Sequence, residues 1–212
     1  MAEGSKPRKS TPRRRLPADE ARERILQAAE RKLAQVGPEG LRLTDLAAEL
    51  GISHPAILHH FGKREDLVAE VVTHAIARFN ARLIQALEGN IRRREAILDM
   101  IGEFFAAEGT ARTLAWLVLS GRAGKQRGRT IGTASRPLKN VIDMVHAQRV
   151  QAYPERTIDP EDSKFRSHLT VFALLGEALF GNLIRFASDE PTGAEQSREF
   201  RRRLAQLLAD YP

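Results

Sequence analysis

TDLAAELGISHPAILHHFGKREDL, residues 44–67, decides how the rest of the chain is read. Its first part carries Leu46, Ala47 and Leu50 at helical spacing and is closed by Gly51, the residue type that best tolerates the left-handed backbone of a sharp inter-helix turn. Ser53 then stands where a hydroxyl can cap a new helix. Pro55 falls in that helix's first turn, where a missing N–H costs little. The pattern predicts two short helices, at about 43–50 and from about 53 to 60. Leu46, Leu50, Ile52 and Ile57 form a miniature core between them, and Ala47 permits close approach. Two such helices joined by a glycine turn make a helix-turn-helix; the alternative is an ordinary helical corner in a larger bundle.

The same stretch holds three histidines, His54, His59 and His60. On one helix they are spaced i, i+5 and i+6 and point in roughly 0°, 140° and 240° directions. A zinc pair needs i and i+3 or i+4, so the spacing argues against a metal site, and no cofactor is expected. His54 and His59 should face outward. An imidazole can donate to a phosphate or a base edge, and the first residues of a recognition helix are the ones that reach base edges.

Outward from this stretch the periodicity stays helical, and the fold class expected is all-α. A first helix over about 19–36 has Asp19 and Glu20 at its positive end, a stripe through Leu26, Ala29, Leu33 and Val36, and Gly37-Pro38 as its stop. A long amphipathic helix runs from about Arg64 to Leu87. Further helices are expected near 93–107, 110–120, 135–152, 161–187 and 194–211, with a basic, glycine-rich loop over 121–132. The organisation read from this is a disordered basic arm (1–17), a helix-turn-helix domain (18–66) and a larger helical domain (67–212).

The charge is uneven. Of the net +7 over 212 residues, the first 17 residues contribute Lys6, Arg8, Lys9, Arg13, Arg14 and Arg15 against Glu3 alone. That arm has little apolar surface with which to offset the entropy of ordering, and its charge suits a polyanion. Residues 18–67 carry seven basic and nine acidic side chains, so the positive face there must come from Arg42, Lys63, Arg64 and the arm, with acids such as Glu20, Glu23, Glu30 and Glu39 turned away. The chain has no cysteine, which removes thiolate chemistry and disulfides. Apolar runs such as 114–119 and 169–180 read as too short or too interrupted to span a bilayer, and a cytoplasmic location is expected.

The pattern Leu46-Ala47, Gly51-Ile52-Ser53, Ile57, His60-Phe61 and the basic-acidic run ending at Leu67 resembles the DNA-binding module of the tetracycline-repressor (TetR) family of bacterial regulators. The likeness covers about residues 20–70. It implies a double-stranded operator as partner, a homodimer and a small-molecule effector. It also implies a DNA-facing set of Arg42, Thr44, Ser53, His54, Pro55, Ala56, Leu58, His59, His60, Lys63 and Arg64. Three positions depart from the family pattern. Arg42 replaces a hydroxyl residue, Leu58 stands where a tyrosine is usual, and Arg64 replaces a lysine.

In the remainder, residues 163–188 are apolar on more than one face, so the helix they form must be covered twice. Phe165, Leu169, Phe172, Gly176, Phe180 and Leu183 make one stripe, broadened by Val171, Leu174, Leu175 and Ala178. Together with the last helix this resembles the family's dimer face, for which Val171, Leu175, Ala178, Leu204 and Leu208 are the expected contacts. Met100, Phe104, Phe105, Trp116, Met144, His146, His168 and Phe172 are candidates for lining a largely apolar effector pocket. The function expected is a ligand-responsive regulator, a repressor released from a pseudo-palindromic operator. A non-specific DNA-binding protein using the arm, and an enzyme on a helical bundle, are the alternatives; the latter finds no nucleophile elbow, P-loop or metal-spaced carboxylates in its favour.

Overall fold

The computed structural model describes residues 17–89, 94–121 and 137–210, so the basic arm and most of the glycine-rich loop lie outside the described residues. Within them the regular structure is helical throughout: α1 (Ala18–Gly40), α2 (Leu43–Leu50), α3 (His54–Phe61), α4 (Arg64–Gly89), α5 (Arg94–Ala106), α6 (Thr110–Leu119), α7 (Pro137–Ala152), α8 (Pro160–Ala187) and α9 (Ala194–Asp210), with one 3-10 turn at Ala107–Gly109. The all-α expectation holds.

Gly37 and Pro38 do not end α1 outright. Gly37 takes φ 71°, ψ 175°, breaking the helical path, and a last turn continues to Gly40. Gly51 adopts φ 64°, ψ 33° and its N–H donates to the carbonyls of Ala47 and Ala48, closing α2 as its sequence position predicts. Ser53 precedes α3 in extended conformation, but its side chain makes no cap hydrogen bond, so the hydroxyl is not the device that starts the helix. Pro55, with φ preset for helix, sits in the first turn and serves that purpose.

Two hydrophobic cores result. The first joins Ile25, Leu26, Ala29 and Leu33 of α1 to Leu46, Ile57 and Phe61, and takes in Leu67, Val68, Val71 and Val72 of α4 and Leu117 of α6. A domain boundary at residue 66 therefore cuts through this core: the first two turns of α4 and the end of α6 are part of the small module. The second core gathers Leu83, Leu87, Leu98, Ile101, Phe105, Val141, Leu174 and Leu204. Leu114 of α6 packs against both.

Glycines fix two close contacts in this body. A Cβ on Gly102 would lie 2.5 Å from Cδ of Arg201, whose Nε donates to Asp99 at 2.5 Å and ties α9 to α5. A Cβ on Gly181 would lie 2.5 Å from the Glu177 carboxylate, which is held by Arg185 at 2.8 Å and by the Ser197 hydroxyl at 2.8 Å.

Candidate functional site

The small module presents one face of α3. Ile57 and Phe61 are buried and anchor the helix to the core, which leaves Ser53, His54, Pro55, Leu58 and His59 exposed on the opposite side and Ala56 and His60 at its edge. Helical spacing alone produces this division. The histidine rings do not converge on one point: those of His59 and His60 are 5.7 Å apart and edge-on, and His60 lies 6.3 Å from Phe61. Among the described residues no group of three or more His, Asp or Glu side chains is placed to hold a metal ion. Arg42, at the start of α2, and Lys63, at the turn into α4, are both exposed. Thr44 is exposed too, and its hydroxyl donates to Asp45 at 3.3 Å.

Arg64 is placed differently from its neighbours in the sequence. Its Nη1 donates to the carbonyl oxygens of Pro38 at 2.8 Å, Glu39 at 3.3 Å and Leu41 at 3.5 Å, while Nε and Nη2 lie 3.4 Å from Glu65. The guanidinium also stacks over Trp116 of α6 at 5.4 Å. A side chain expected on the outward positive face is instead turned in, where a planar multi-donor group satisfies the carbonyls freed by the kink at Gly37. Arg22 is a second inward bolt, and one the sequence reading did not single out. It donates to the His60 carbonyl at 2.7 Å, pairs with Glu70 and lies 4.4 Å over the Phe61 ring, joining α1, α3 and α4. Its partners lie 38 and 48 residues away, so local periodicity carries no sign of them.

The acidic excess of the module is absorbed in part by pairs away from α3. Glu30 pairs with Arg78, and Glu49 with Arg31 at 3.3 Å and Lys32 at 3.8 Å.

In the second core a cavity of about 480 Å³ opens between α4, α5, α6, α7 and α8. Phe79, Leu83, Ile101, Phe104, Phe105 and Val171 are among its walls, and Asn80, Lys139 and Ser167 supply its polar groups. Its size falls within the range of roughly 300–1,000 Å³ usual for small-molecule sites. Of the eight residues expected to line a pocket, Phe104 and Phe105 do so, with Phe104 stacked on Phe79 at 4.1 Å. The other six stand elsewhere. Met100 and Met144 pack against the second core and Trp116 against the first. His146 Nδ1 is 3.0 Å from the Ser163 hydroxyl, and His168 lies beside the exposed ring of Phe172.

A polar cluster lies next to this cavity. Arg149, buried on α7, donates to Ser163 at 2.7 Å and to Asp162 at 2.6 Å. Arg166 donates to the same Asp162 oxygen at 3.1 Å and to the Leu208 carbonyl at 3.0 Å. Partial burial works to raise the Asp162 carboxyl, but the hydrogen bonds and charges of Arg149 and Arg166 outweigh it and hold the group below the usual aspartate value.

The outer surface of α8 is strongly apolar. Phe165, Phe172, Phe180, Leu183, Ile184 and Phe186 are exposed, Phe172 by 68%, and Leu207 of α9 is exposed beside them. The five positions expected at a chain–chain contact divide otherwise. Val171, Leu175, Leu204 and Leu208 pack into the second core, and Ala178 alone of the five is exposed. The sequence shows two apolar stripes on α8 but not which of them the rest of the chain covers. As one unbroken helix, Pro160–Ala187 is also long and apolar enough, by length and composition, to cross a membrane, which differs from the reading of this region as too interrupted. Its charged residues are spaced widely enough to leave an 18-residue window of mean hydropathy 1.5.

Comparison with known proteins agrees with this geometry. The family model described as "Bacterial regulatory proteins, tetR family" matches residues 25–71, which hold most of the first core and all of α2 and α3. The HTH-type transcriptional repressor Rv3405c of Mycobacterium tuberculosis is 28% identical over 212 residues, covering 96% of this chain and 98% of that protein. Among solved structures, a TetR-family transcriptional regulator from Pectobacterium atrosepticum superposes with a TM-score of 0.60 at 17% identity, covering 91% of this chain and 92% of the other. AibR, solved in complex with isovaleryl coenzyme A and operator DNA, superposes with a TM-score of 0.58 at 14% identity, covering 88% and 96%. The helix-turn-helix on its two bolts is thus the part that matches the tetR-family model, and along nearly its whole length the chain is similar to a transcriptional repressor and shares the fold of solved TetR-family regulators.

Proposed function

We propose that the chain is a repressor that binds a pseudo-palindromic operator as a homodimer in the cytoplasm and leaves it when a small molecule enters the α4–α8 cavity. The observation that carries the reading is the outward face of α3. Its buried residues anchor the helix, and its exposed ones form a short ridge in which Ser53, His54 and His59 supply the polar groups beside Pro55 and Leu58, suited to a major groove. Ser53, His54, Pro55, Ala56, Leu58, His59 and His60 form the DNA-facing set, with His54 at a base edge and His59 at a phosphate. Arg42, Thr44 and Lys63 flank it. Arg64 positions the module rather than touching DNA. The basic arm, Lys6 to Arg15, adds phosphate contacts.

Two copies join through the exposed stripe of α8 and Leu207 of α9, forming a four-helix contact across a twofold axis. The stripe is continuous and rich in phenylalanine, which suits burial against an identical surface. The relative from M. tuberculosis is named a repressor, and the AibR structure holds both an operator and a small molecule; both support the reading.

Selection of purified protein against random duplexes tests it. Enrichment of an inverted repeat is expected, its symmetry reporting the dimer. Recovery of unrelated sequences in proportion to input would overturn the assignment in favour of non-specific coating.

A further inference from the structure

The cavity along Phe104 is not the whole of the site. A smaller cavity of about 140 Å³ shares with it the residues Leu87, Ile97, Val145 and Ser167, and its remaining walls include Arg149, Tyr153, Arg166 and Thr170. One end of the combined space is thus almost purely apolar and the other carries two guanidinium groups. Arg149 has a side chain only 8% exposed and Arg166 one 15% exposed, so neither charge is dissolved in bulk water. Removing such charges from water is unfavourable unless they are matched. The match is incomplete. Asp162 is the one carboxylate that either arginine pairs with among the described residues, and a single oxygen, Oδ2, serves both. The Ser163 hydroxyl and the Leu208 carbonyl accept the other hydrogen bonds but bring no charge. The cluster therefore retains one positive charge in the wall of a largely apolar space, whose other charged lining group, Lys139, is paired with Asp143.

Resting on the proposed function, and deepening it at the same site, we propose that the effector is an aliphatic monocarboxylate. Its carboxylate binds at Arg149 and Arg166, and its tail passes Leu87 and Ile97 into the cavity lined by Phe79, Phe104 and Phe105. A carboxylate matches the planar fork of a guanidinium, and one negative charge neutralises the cluster, whereas a phosphate dianion would reverse it. The apolar walls supply affinity for the tail and the two arginines fix its direction. Because Arg166 also holds the Leu208 carbonyl of α9 and Arg149 joins α7 to α8, a head group placed here draws on three helices at once.

Titration calorimetry on the full chain tests this with three probes: decanoate, decanol and acetate. Decanoate should bind at least tenfold more tightly than decanol, acetate should give no measurable binding at the same concentrations, and decanoate should release the chain from its selected duplex. In Arg166→Gln the advantage of decanoate over decanol should shrink toward parity, and Arg166→Lys should restore part of it. The comparison of decanoate with decanol on the unaltered chain decides the matter even where a variant does not fold. Equal or tighter binding of decanol, or no binding of either, overturns the carboxylate assignment. If the chain still selects an inverted repeat in that case, the repressor reading stands and only the effector class falls. A decanoate preference in a chain that selects no duplex would leave this inference intact and remove the repressor reading instead.

Discussion

Arg64 and His54 are both charged or chargeable side chains of the helix-turn-helix, yet their surroundings give them opposite tasks. His54 is exposed at the first turn of α3, whereas the Arg64 guanidinium is committed to three carbonyl oxygens around the α1 kink and to the face of Trp116. Arg64→Gln should lower folding stability by about 1–3 kcal/mol, the usual cost of losing charge-assisted hydrogen bonds to partly buried acceptors. It should weaken binding to all duplexes while leaving the salt dependence of binding unchanged. A phosphate contact would instead remove roughly 0.9 from the log–log salt slope, so urea unfolding combined with binding at several salt concentrations separates the two roles. His54→Ala, in contrast, should leave stability untouched and relax preference at one position in each half-site, at a cost of about 1–3 kcal/mol on the preferred base. His59→Ala should weaken all duplexes about equally. A uniform loss for His54→Ala across single-base operator variants would move that residue to the phosphate class.

The helices themselves were largely legible in the sequence, because local chemistry marks them: Gly51 ends α2 in a left-handed backbone, Pro55 opens α3, and Gly37-Pro38 kinks α1 one turn before its end. What periodicity does not settle is which of two apolar stripes meets the rest of the chain. Helix α8 shows this. Val171 and Phe172 are adjacent and both apolar, but Val171 lines the cavity while Phe172 projects into solvent, since a helix turns about 100° between neighbours. Of the expected contact set, Val171, Leu175, Leu204 and Leu208 lie on the inner side and pack into the second core, Ala178 is exposed, and the outer phenylalanines are left uncovered by the rest of the chain. Cation placement was equally opaque. The carbonyl oxygens that Arg22, Arg64 and Arg166 hold lie tens of residues away, and nothing nearby in the chain announces them. On the proposed interface, Phe172→Glu should convert a dimer to a monomer in sedimentation equilibrium with helix content retained. Leu174→Ala, on the buried side of the same helix, should leave assembly intact and cost about 2–5 kcal/mol of stability. A monodisperse monomer for the unaltered chain at micromolar concentration would remove the proposed interface, and recovery of the chain in the membrane fraction would assign the stripe to lipid.

Helix α6, like the long α4, contributes to both cores and to the cavity wall. Leu117 is wholly buried in the first core, Trp116 lies under Arg64, and Leu114 touches both cores and forms part of the cavity wall. A ligand that shifts Leu114 thus acts on the same short helix that supports the α1 kink and the start of α4. Coupling of this kind is a free energy of typically 1–3 kcal/mol and is reciprocal: duplex must weaken ligand binding by the factor by which ligand weakens duplex binding. Leu114→Ala should keep both affinities within a few-fold of the parent while reducing that factor, measured by titrating ligand with and without saturating duplex. An unchanged factor would place the coupling elsewhere.

The order in which these parts leave the ribosome adds a consequence of the exposed α8 stripe. The first core is composed of residues from Ile25 to Leu117, so the DNA-reading module can close before the sticky surface, Phe165 to Leu207, has been made. Domains generally fold as they emerge, N-terminal first. Each newborn copy is then a finished reading head that still bears an uncovered row of phenylalanines, and its lifetime in that condition depends on how soon it meets another. If copies pair through this stripe as proposed, the encounter is rare at low copy number, and the abundance of the protein then sets how much of it can occupy two half-sites at once.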